Sequence, residues 1–161
     1  MTFMEAALCE PVSVAIAACK RAELKVGQRV LIMGAGPIGL LTAMVANTCG
    51  ASSITMADIS IDRLDFARKN LGGEIQFHLI DTQKSSKENA KILKIRDKGN
   101  MPDITFECSG AESAVQTAMY ATKSGGKVML VGIGGPMTNV PVIEALCREV
   151  EIRGMFRYSN W

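Results

Sequence analysis

Short apolar runs alternate with longer segments of mixed character along most of the chain. Runs rich in Val, Ile, Leu and Met, bounded by glycine, proline or aspartate, are typical of buried parallel strands. The segments between them have the apolar spacing and length of helices. We predict strands at 29–33, 53–57, 75–80, 103–108, 127–131 and 149–155. We predict helices at 37–48, 61–70, 84–98, 111–122 and 141–147.

This alternation predicts an α/β fold of the Rossmann type. Strands that are separated by helices form a doubly wound parallel sheet, here of about six strands, with helices on both faces. We expect residues 1–161 to form a single dinucleotide-binding domain with a helical lead-in segment at 1–27. Proline is tolerated at the start of a helix and disrupts its interior. We therefore expect a break at Pro11, with Glu10 at the junction.

Composition narrows the class of protein further. The chain has 161 residues, of which 48% are apolar and 21% charged, and its net charge is +2. These values are typical of one globular domain and exclude a disordered tail. The sequence has no basic cluster of the kind that indicates a nucleic-acid interface. Every long apolar stretch is interrupted by glycine or proline well short of the length of a membrane span. The five cysteines are widely spaced and odd in number, which favours a reduced, cytoplasmic chain without a disulfide framework.

A glycine-rich segment, Gly34-Ala-Gly36-Pro-Ile-Gly39, follows the first predicted strand and opens a predicted helix. This is the context that the dinucleotide-binding pattern G-x-G-x-x-G requires. Gly34 would allow a tight turn, Gly36 would let the backbone approach a pyrophosphate, and Gly39 would allow close packing of helix on strand. The alternative is an ordinary strand-to-helix turn with incidental glycines.

An acidic residue ends the second predicted strand, where a dinucleotide-binding protein places its ribose ligand. The carboxylate of Asp58 would accept hydrogen bonds from ribose hydroxyls and would repel a 2′-phosphate, which favours NAD over NADP. The alternative for Asp58 is a helix cap together with Asp62. Arg63 follows early in the next helix, either stacked on the adenine or simply solvated.

Later strand ends complete the expected cofactor groove, because ligands of open α/β sheets lie outside the carboxyl ends of the strands. These ends are Cys108-Ser-Gly110 and Val131-Gly-Ile-Gly134. Cys108 is interpreted as a packing residue, since no histidine or cation nearby in sequence would lower the pKa of its thiol. The one histidine, His78, falls within a strand and is interpreted as structural. We therefore expect no metal site built from this chain alone.

Several segments together resemble the zinc-dependent medium-chain dehydrogenases, and among these the NAD-dependent polyol dehydrogenases. The segments are Glu5-x-Ala-Ala-Leu8, Glu10-Pro11, Gly34-Ala-Gly-Pro-Ile-Gly39, Glu107-Cys-Ser-Gly-Ala-Glu112 and Gly154-Met-Phe-Arg-Tyr158. The glycine pattern is shared by many dehydrogenases, whereas the Glu-Pro and Phe-Arg-Tyr segments are narrower signals. The resemblance extends over essentially the whole chain and implies a coenzyme-binding domain that transfers hydride between a polyol and NAD.

The resemblance also implies roles for individual residues. Glu10 matches the glutamate that reaches the catalytic zinc through water or contacts the substrate, and Arg157 and Tyr158 match positions near the polyol. Without the family, Glu10 is a capping or surface residue and Arg157 a solvated one. The implied cofactor contacts, besides the glycines, are Ile38, Asp58, Arg63, Val131, Gly132, Ile133, Phe156, Arg157 and Tyr158.

One departure from the family limits this assignment. The family's zinc ligands belong to a catalytic domain that precedes the segment matched here, so we expect the chain to bind NAD with little or no turnover. Two alternatives are a non-catalytic NAD-binding regulatory module and a zinc-independent reductase domain of the same superfamily. A methyltransferase with a similar glycine-rich turn is a third. The last strand, 149–155, would form a sheet edge, through which we expect a homo-oligomer.

Overall fold

A single six-stranded parallel sheet forms the centre of the computed structural model, which describes residues 1–96 and 99–158. The strands are β1 Arg29–Met33, β2 Ser53–Asp58, β3 Ile75–Leu79, β4 Ile104–Glu107, β5 Lys127–Leu130 and β6 Glu151–Gly154. The helices are α1 Phe3–Arg21, α2 Pro37–Thr48, α3 Ile61–Asn70, α4 Ser86–Arg96, α5 Glu112–Ala121 and α6 Val142–Cys147. The strand order is β3-β2-β1-β4-β5-β6.

This order confirms the predicted doubly wound fold. All five neighbouring strand pairs are parallel. The chain order reverses between β1 and β4, and in open α/β sheets ligands bind in the crevice beyond such a reversal. The carboxyl ends of β1, β2 and β4 therefore define where a ligand is expected.

Strand β1 shows why its sequence is apolar at almost every position. Val30 and Ile32 belong to a core shared with α1, α2 and α3. Leu31 and Met33 belong to a second core, shared with α4, α5 and α6 on the other face of the sheet. Because successive side chains of a strand point to opposite faces, a strand covered by helices on both sides has no polar face.

The predicted break at Pro11 is wrong, because α1 runs without interruption from Phe3 to Arg21. The helix is capped at Thr2, whose side chain accepts a hydrogen bond from the N–H of Glu5, while the Glu5 carboxylate accepts one from the N–H of Thr2. Proline leaves the carbonyl four residues earlier without its helical donor. Here that residue, Ala7, is exposed, so water can hydrate its carbonyl.

Other differences from the predicted elements are confined to their ends. Helix α4 begins at Ser86 rather than at 84 because Ser85 and Glu88 cap it reciprocally. The end of the predicted helix, 97–98, lies outside the described residues. Among those residues, no helix is both long and apolar enough to cross a membrane.

Candidate cofactor-binding site

The glycine-rich loop leaves β1 through a turn that requires glycine at its first position. Gly34 has a φ of +105°, a region that residues with a side chain rarely adopt. Its N–H donates to the carbonyl of Ala57 at 2.7 Å, which holds the loop against the end of β2. A Cβ at Gly34 would also lie 3.2 Å from the backbone nitrogen of Ser109.

The other two glycines of the loop face different surroundings. A Cβ at Gly39 would lie 1.9 Å from the carbonyl oxygen of Gly34, so α2 can pack this close to β1 only with glycine there. A Cβ at Gly36 would have no protein atom within 4 Å, so this backbone faces open space. Gly36 precedes Pro37, the first residue of α2, and provides no side-chain cap to the helix. The positive end of the α2 dipole is thus open to an anionic ligand.

Asp58 at the end of β2 is buried, with 6% of its surface exposed. Its Oδ2 accepts a hydrogen bond from the N–H of Ala35 at 2.7 Å, and its Oδ1 accepts one from the N–H of Ser60 at 2.8 Å. An ionised carboxylate can accept about four hydrogen bonds, so two positions remain for a ligand's hydroxyl groups. The cap of α3 is Ser60 rather than Asp58, since the Ser60 hydroxyl accepts from the N–H of Arg63.

Arg63 lies on the rim of the same region. Its Nη1 is 3.9 Å from Oδ2 of Asp58, and its side chain is 64% exposed. The arginine therefore partly offsets the charge of Asp58 and keeps a broad face open to solvent. This face is available to an aromatic ring, although the stacking on adenine stays a prediction.

A cleft with about 940 Å³ of open space extends from this site between the two halves of the sheet. Gly34, Asp58 and Arg63 line it, together with Ser109. Its further lining includes residues that sequence analysis did not single out: Asp81, Thr82, Lys84, Ser86, Asn89 and Ser113.

Among these missed residues, Asp81 is held firmly in place. It follows β3 as Asp58 ends β2, and the same strand-end reasoning could have found it. The buried side chain of Asn89 accepts from the N–H of Asp81 at 3.2 Å and donates to its carbonyl at 2.9 Å. A hydrogen bond from Lys84 lowers the pKa of the Asp81 carboxyl, so this part of the cleft carries a close ion pair.

The loops after β4 and β5 are in backbone contact at the same edge of the sheet. Gly110 has a φ of +77°, and a Cβ there would lie 2.4 Å from the carbonyl oxygen of Ile133. A Cβ at Gly132 would lie 2.2 Å from the nitrogen of Gly110. The structure thus brings Gly132 and Ile133 together with Gly34, through Ser109 and Gly110. Val131, at the start of this loop, is half-buried.

Glu107 at the end of β4 belongs to a segment that resembles the family, but the sequence predicted no role for its side chain. It is fully buried, and its Oε1 accepts hydrogen bonds from the N–H and hydroxyl of Ser109, at 2.9 and 2.5 Å. The same oxygen accepts from the N–H of Gly110 at 3.0 Å. Periodicity places Glu107 in a strand, but it gives no sign that the side chain holds the loop that follows.

Phe156, Arg157 and Tyr158 lie in a different place from Asp58. They line a second cleft, with about 1170 Å³ of open space, between the end of β6 and the C-terminal half of α1. Nε of Arg21 in α1 donates to the carbonyl of Gly154 at 2.8 Å, which joins the two elements. The guanidinium of Arg157 lies over the Phe156 ring, 5.4 Å from its centroid.

Glu10 lines neither of these two clefts. It is exposed on α1, seven residues before Ala17, which lines the second cleft. Seven residues are about two helical turns, or roughly 10 Å, so Glu10 and Ala17 share a face of the helix. Within the described ranges, no three His, Cys, Asp or Glu side chains form a group that could hold a metal ion.

Cys108 and His78, the two residues interpreted as structural, line neither cleft. Burial raises the pKa of the Cys108 thiol to about 12, so the thiol stays protonated, and the side chain packs against the α2 side of the core. His78 is buried in β3. Desolvation and the nearby Arg96 lower its pKa.

The sheet order, the glycine-rich turn and the acid at the end of β2 define a Rossmann-type fold of the dehydrogenase class. Residues 37–161 match the family model described as zinc-binding dehydrogenase. The chain belongs to this family.

Three known proteins that are similar to this chain are more than twice as long. Sorbitol dehydrogenase from Homo sapiens is 43% identical over 163 residues, which cover 99% of this chain and 44% of the human protein. The crystal structure of L-idonate 5-dehydrogenase from Escherichia coli is 33% identical, with a TM-score of 0.79, over 96% of this chain and 42% of that one. The crystal structure of 2R,3R-butanediol dehydrogenase from Bacillus subtilis is 26% identical, with a TM-score of 0.84, over 99% of this chain and 44% of that one. The chain thus spans less than half the length of these relatives.

Proposed function

We propose that this chain is the coenzyme-binding part of an NAD-dependent polyol dehydrogenase that acts on sorbitol or L-iditol. The observation that carries the proposal is the buried Asp58 carboxylate, bonded to the N–H of Ala35 in the glycine-rich loop. In this proposal the carboxylate accepts from ribose hydroxyls beside the open backbone of Gly36 and the start of α2. The relatives named above, a sorbitol, an idonate and a butanediol dehydrogenase, support a substrate with neighbouring hydroxyl groups.

Charge at Asp58 favours NAD over NADP. A 2′-phosphate in the position of the ribose hydroxyl would bring like charges within about 4 Å, which costs about 4 kcal/mol at an effective dielectric constant of about 20. Arg63 would offset part of this repulsion, but its guanidinium is 3.9 Å from Asp58 and largely exposed. The buried carboxylate therefore outweighs the solvated guanidinium.

The remaining cofactor contacts that we propose follow the edge of the sheet. Gly34, Gly36, Ile38 and Gly39 would form the pyrophosphate turn. Val131, Gly132 and Ile133, beyond the reversal in strand order, would orient the nicotinamide half. With NAD held there, the site would supply the acceptor for the hydride in the oxidation of a polyol to a ketose, with release of the hydroxyl proton.

We place the polyol side at the second cleft, where Arg157 and Tyr158 would contact the substrate beside Phe156 at the nicotinamide. Glu10, on the helical face shared with Ala17, would contact the polyol or a zinc-bound water. The described residues do not fit a zinc site, so zinc would need ligands from outside them.

We also propose how the chain is organised, what it associates with and where in the cell it is located. We treat residues 1–161 as one NAD-binding domain with its lead-in at 1–27, joined to a second copy through the β6 edge. The small-molecule partners would be a polyol and its ketose. All five cysteines are unpaired, which supports a reducing, cytoplasmic location.

Substitution of Asp58 tests the proposal. Asp58→Asn removes the charge and one of the two acceptor oxygens. We therefore expect NADH to bind about tenfold more weakly, and the ratio of the dissociation constants of NADPH and NADH to become smaller. Asp62→Asn removes an equal charge from the exposed start of α3 and should leave both dissociation constants unchanged. Titration calorimetry with NADH and NADPH measures these values. An unchanged preference for NADH in Asp58→Asn would overturn the role of Asp58.

A further inference from the structure

Three loops at the carboxyl edge of the sheet converge on the end of β4. The N–H of Cys108 donates to the carbonyl of Met33, just before the glycine-rich loop, at 2.8 Å. The carbonyl of Glu107 accepts from the N–H groups of Val131 and Gly132, at 2.9 and 2.8 Å, and so holds the start of the β5 loop. Residue 107 therefore stands between the loop after β1 and the loop after β5.

The side chain of Glu107 fixes the third loop, its own. Oε1 accepts from both donors of Ser109 and from the N–H of Gly110, and Oε2 lies 3.1 Å from the same Gly110 nitrogen. These donors are neutral N–H and O–H groups. A buried carboxylate is costly unless it is well hydrogen-bonded, so this cluster of donors is what allows Glu107 to be fully buried.

Small displacements of this loop would reach both neighbouring loops. A Cβ at Gly34 would lie 3.2 Å from the nitrogen of Ser109, and one at Gly134 would lie 2.0 Å from the carbonyl oxygen of Gly110. Backbone packed this closely cannot move on one side without moving the other. The contact with the loop after β5 is the closer of the two, so the height of Ser109 and Gly110 above β4 sets the position of that loop more than the position of the glycine-rich loop.

We propose that Glu107 is a positioning residue for the cofactor, acting through the Ser109–Gly110 backbone on the nicotinamide side of the cleft. This rests on the proposed function. In a doubly wound sheet each half binds one mononucleotide, and Asp58 serves the half formed by β1, β2 and β3. Glu107 belongs to the other half. Its loss should therefore weaken binding of the whole dinucleotide and spare binding of its adenosine part.

Glu107→Met tests this, because it preserves the length of the side chain and removes every acceptor. We expect the dissociation constant for NADH to rise about tenfold and that for AMP to stay within about twofold of the unsubstituted value. Glu107→Gln keeps a carbonyl oxygen in place of Oε1, so its NADH affinity should stay within about threefold. Rescue by glutamine identifies the acceptor geometry, rather than the charge, as the cause.

Two further variants separate positioning from stability. Thr105→Val, on the same strand, removes the buried hydrogen bond to Thr122 and should lower stability while leaving both ligands bound as before. Ser109→Ala removes one donor to Glu107 and should weaken the binding of NADH, but not of AMP, by less than Glu107→Met does. This variant keeps the test valid if Glu107→Met does not fold.

The outcomes distinguish this inference from the proposed function. If the unsubstituted chain is folded and does not bind NADH, the proposed function fails and this inference with it. If the unsubstituted chain binds NADH, equal losses of AMP and NADH in the Glu107 or Ser109 variants overturn the positioning role alone. Unchanged NADH affinity in those variants also overturns it.

Discussion

Oδ2 of Asp58 lies 2.7 Å from the backbone nitrogen of Ala35, so the acid that ends β2 also closes the glycine-rich loop that leaves β1. A residue expected to recognise a ribose thus has a structural bond of its own. Its second oxygen accepts from Ser60, at the start of α3. The glycine-rich loop, the end of β2 and the start of α3 therefore meet at one carboxylate.

Alanine substitutions at two glycines of the loop should separate folding from binding. Gly39→Ala places a Cβ 1.9 Å from the carbonyl oxygen of Gly34, so we expect a loss of roughly 1–3 kcal/mol in the free energy of unfolding. Gly36→Ala meets no protein atom and needs no unusual φ, so its loss should stay below about 1 kcal/mol. Urea denaturation measures both values.

NADH titration of the same pair completes this prediction. Gly36→Ala places a methyl group where the pyrophosphate would approach, so its NADH affinity should fall about tenfold despite near-normal stability. A Gly36→Ala chain that binds NADH as tightly as the unsubstituted chain would refute the placement of the pyrophosphate.

Stability should fall as the pH falls below about 6.5, the pKa of an unfolded histidine. His78, the one histidine, is buried, and its Nδ1 has no hydrogen-bond partner among the described residues. Desolvation lowers its pKa in the folded state, so the unfolded chain takes up the proton first. The stability is therefore present above about pH 6.5 and is lost below it.

Replacement of the histidine tests this dependence. Urea denaturation between about pH 7.5 and 5.5 should give a stability that declines in the unsubstituted chain and changes little in His78→Leu. Gln76→Leu, two residues earlier and exposed on the same strand, is the matched control and should keep the decline. An equal decline in His78→Leu would assign it to other groups.

Arg148 should contribute more to stability than an exposed arginine does. Its Nη1 and Nη2 donate to the carbonyls of Thr122 and Met119 at the end of α5, and its Nε pairs with Glu144. Hydrogen bonds from a charged group to groups that would otherwise be unpaired contribute roughly 1.5–3 kcal/mol, which is the loss expected for Arg148→Met. Arg68→Met, which breaks an exposed pair with Asp65 and the contact of the guanidinium with the Phe77 ring, should lose less, about 1 kcal/mol. Equal losses in urea denaturation would contradict this account.

The β6 edge should join two copies of the chain. The N–H of Glu151 donates to the carbonyl of Gly126, just before β5, and the N–H of Met155 donates to the carbonyl of Leu130 in β5. By alternation the N–H of Ile152 faces away from the sheet, and Ile152 is 44% exposed. We expect sedimentation to show a dimer that Ile152→Lys converts to monomer, since an edge lysine opposes strand pairing. Ile95→Lys, on exposed α4, should remain dimeric. An unsubstituted chain that stays monomeric at high concentration would exclude this interface.

Much of the fold could be predicted because its strands are covered on both faces. Continuous apolar runs such as Val30–Met33 can be recognised as strands without knowledge of the neighbouring strands, and the glycines of the turns mark where the runs end. The close packing at Gly39 likewise follows from the spacing of the glycines, since a helix that starts this near its strand leaves no room for a Cβ.

The remaining features depend on packing or on loop conformation, which the periodicity of the sequence does not report. The capping box of Thr2 and Glu5 is visible in the sequence, whereas the continuation of α1 through Pro11 depends on the exposure of Ala7, which is decided by the packing of the helix. The carboxylate of Glu107 acquires its role only when the loop after β4 folds back over it. The separation of Tyr158 from Asp58 follows from the strand order, which places β6 four positions away from β2.

The proposed function depends on the binding of NAD through Asp58 and the glycine-rich loop. Calorimetric titration of the unsubstituted chain with NADH and, in parallel, NADPH tests it most directly. We predict one site per chain and at least about tenfold tighter binding of NADH. Tighter binding of NADPH, or binding of neither by a chain that circular dichroism shows to be folded, would contradict the claim.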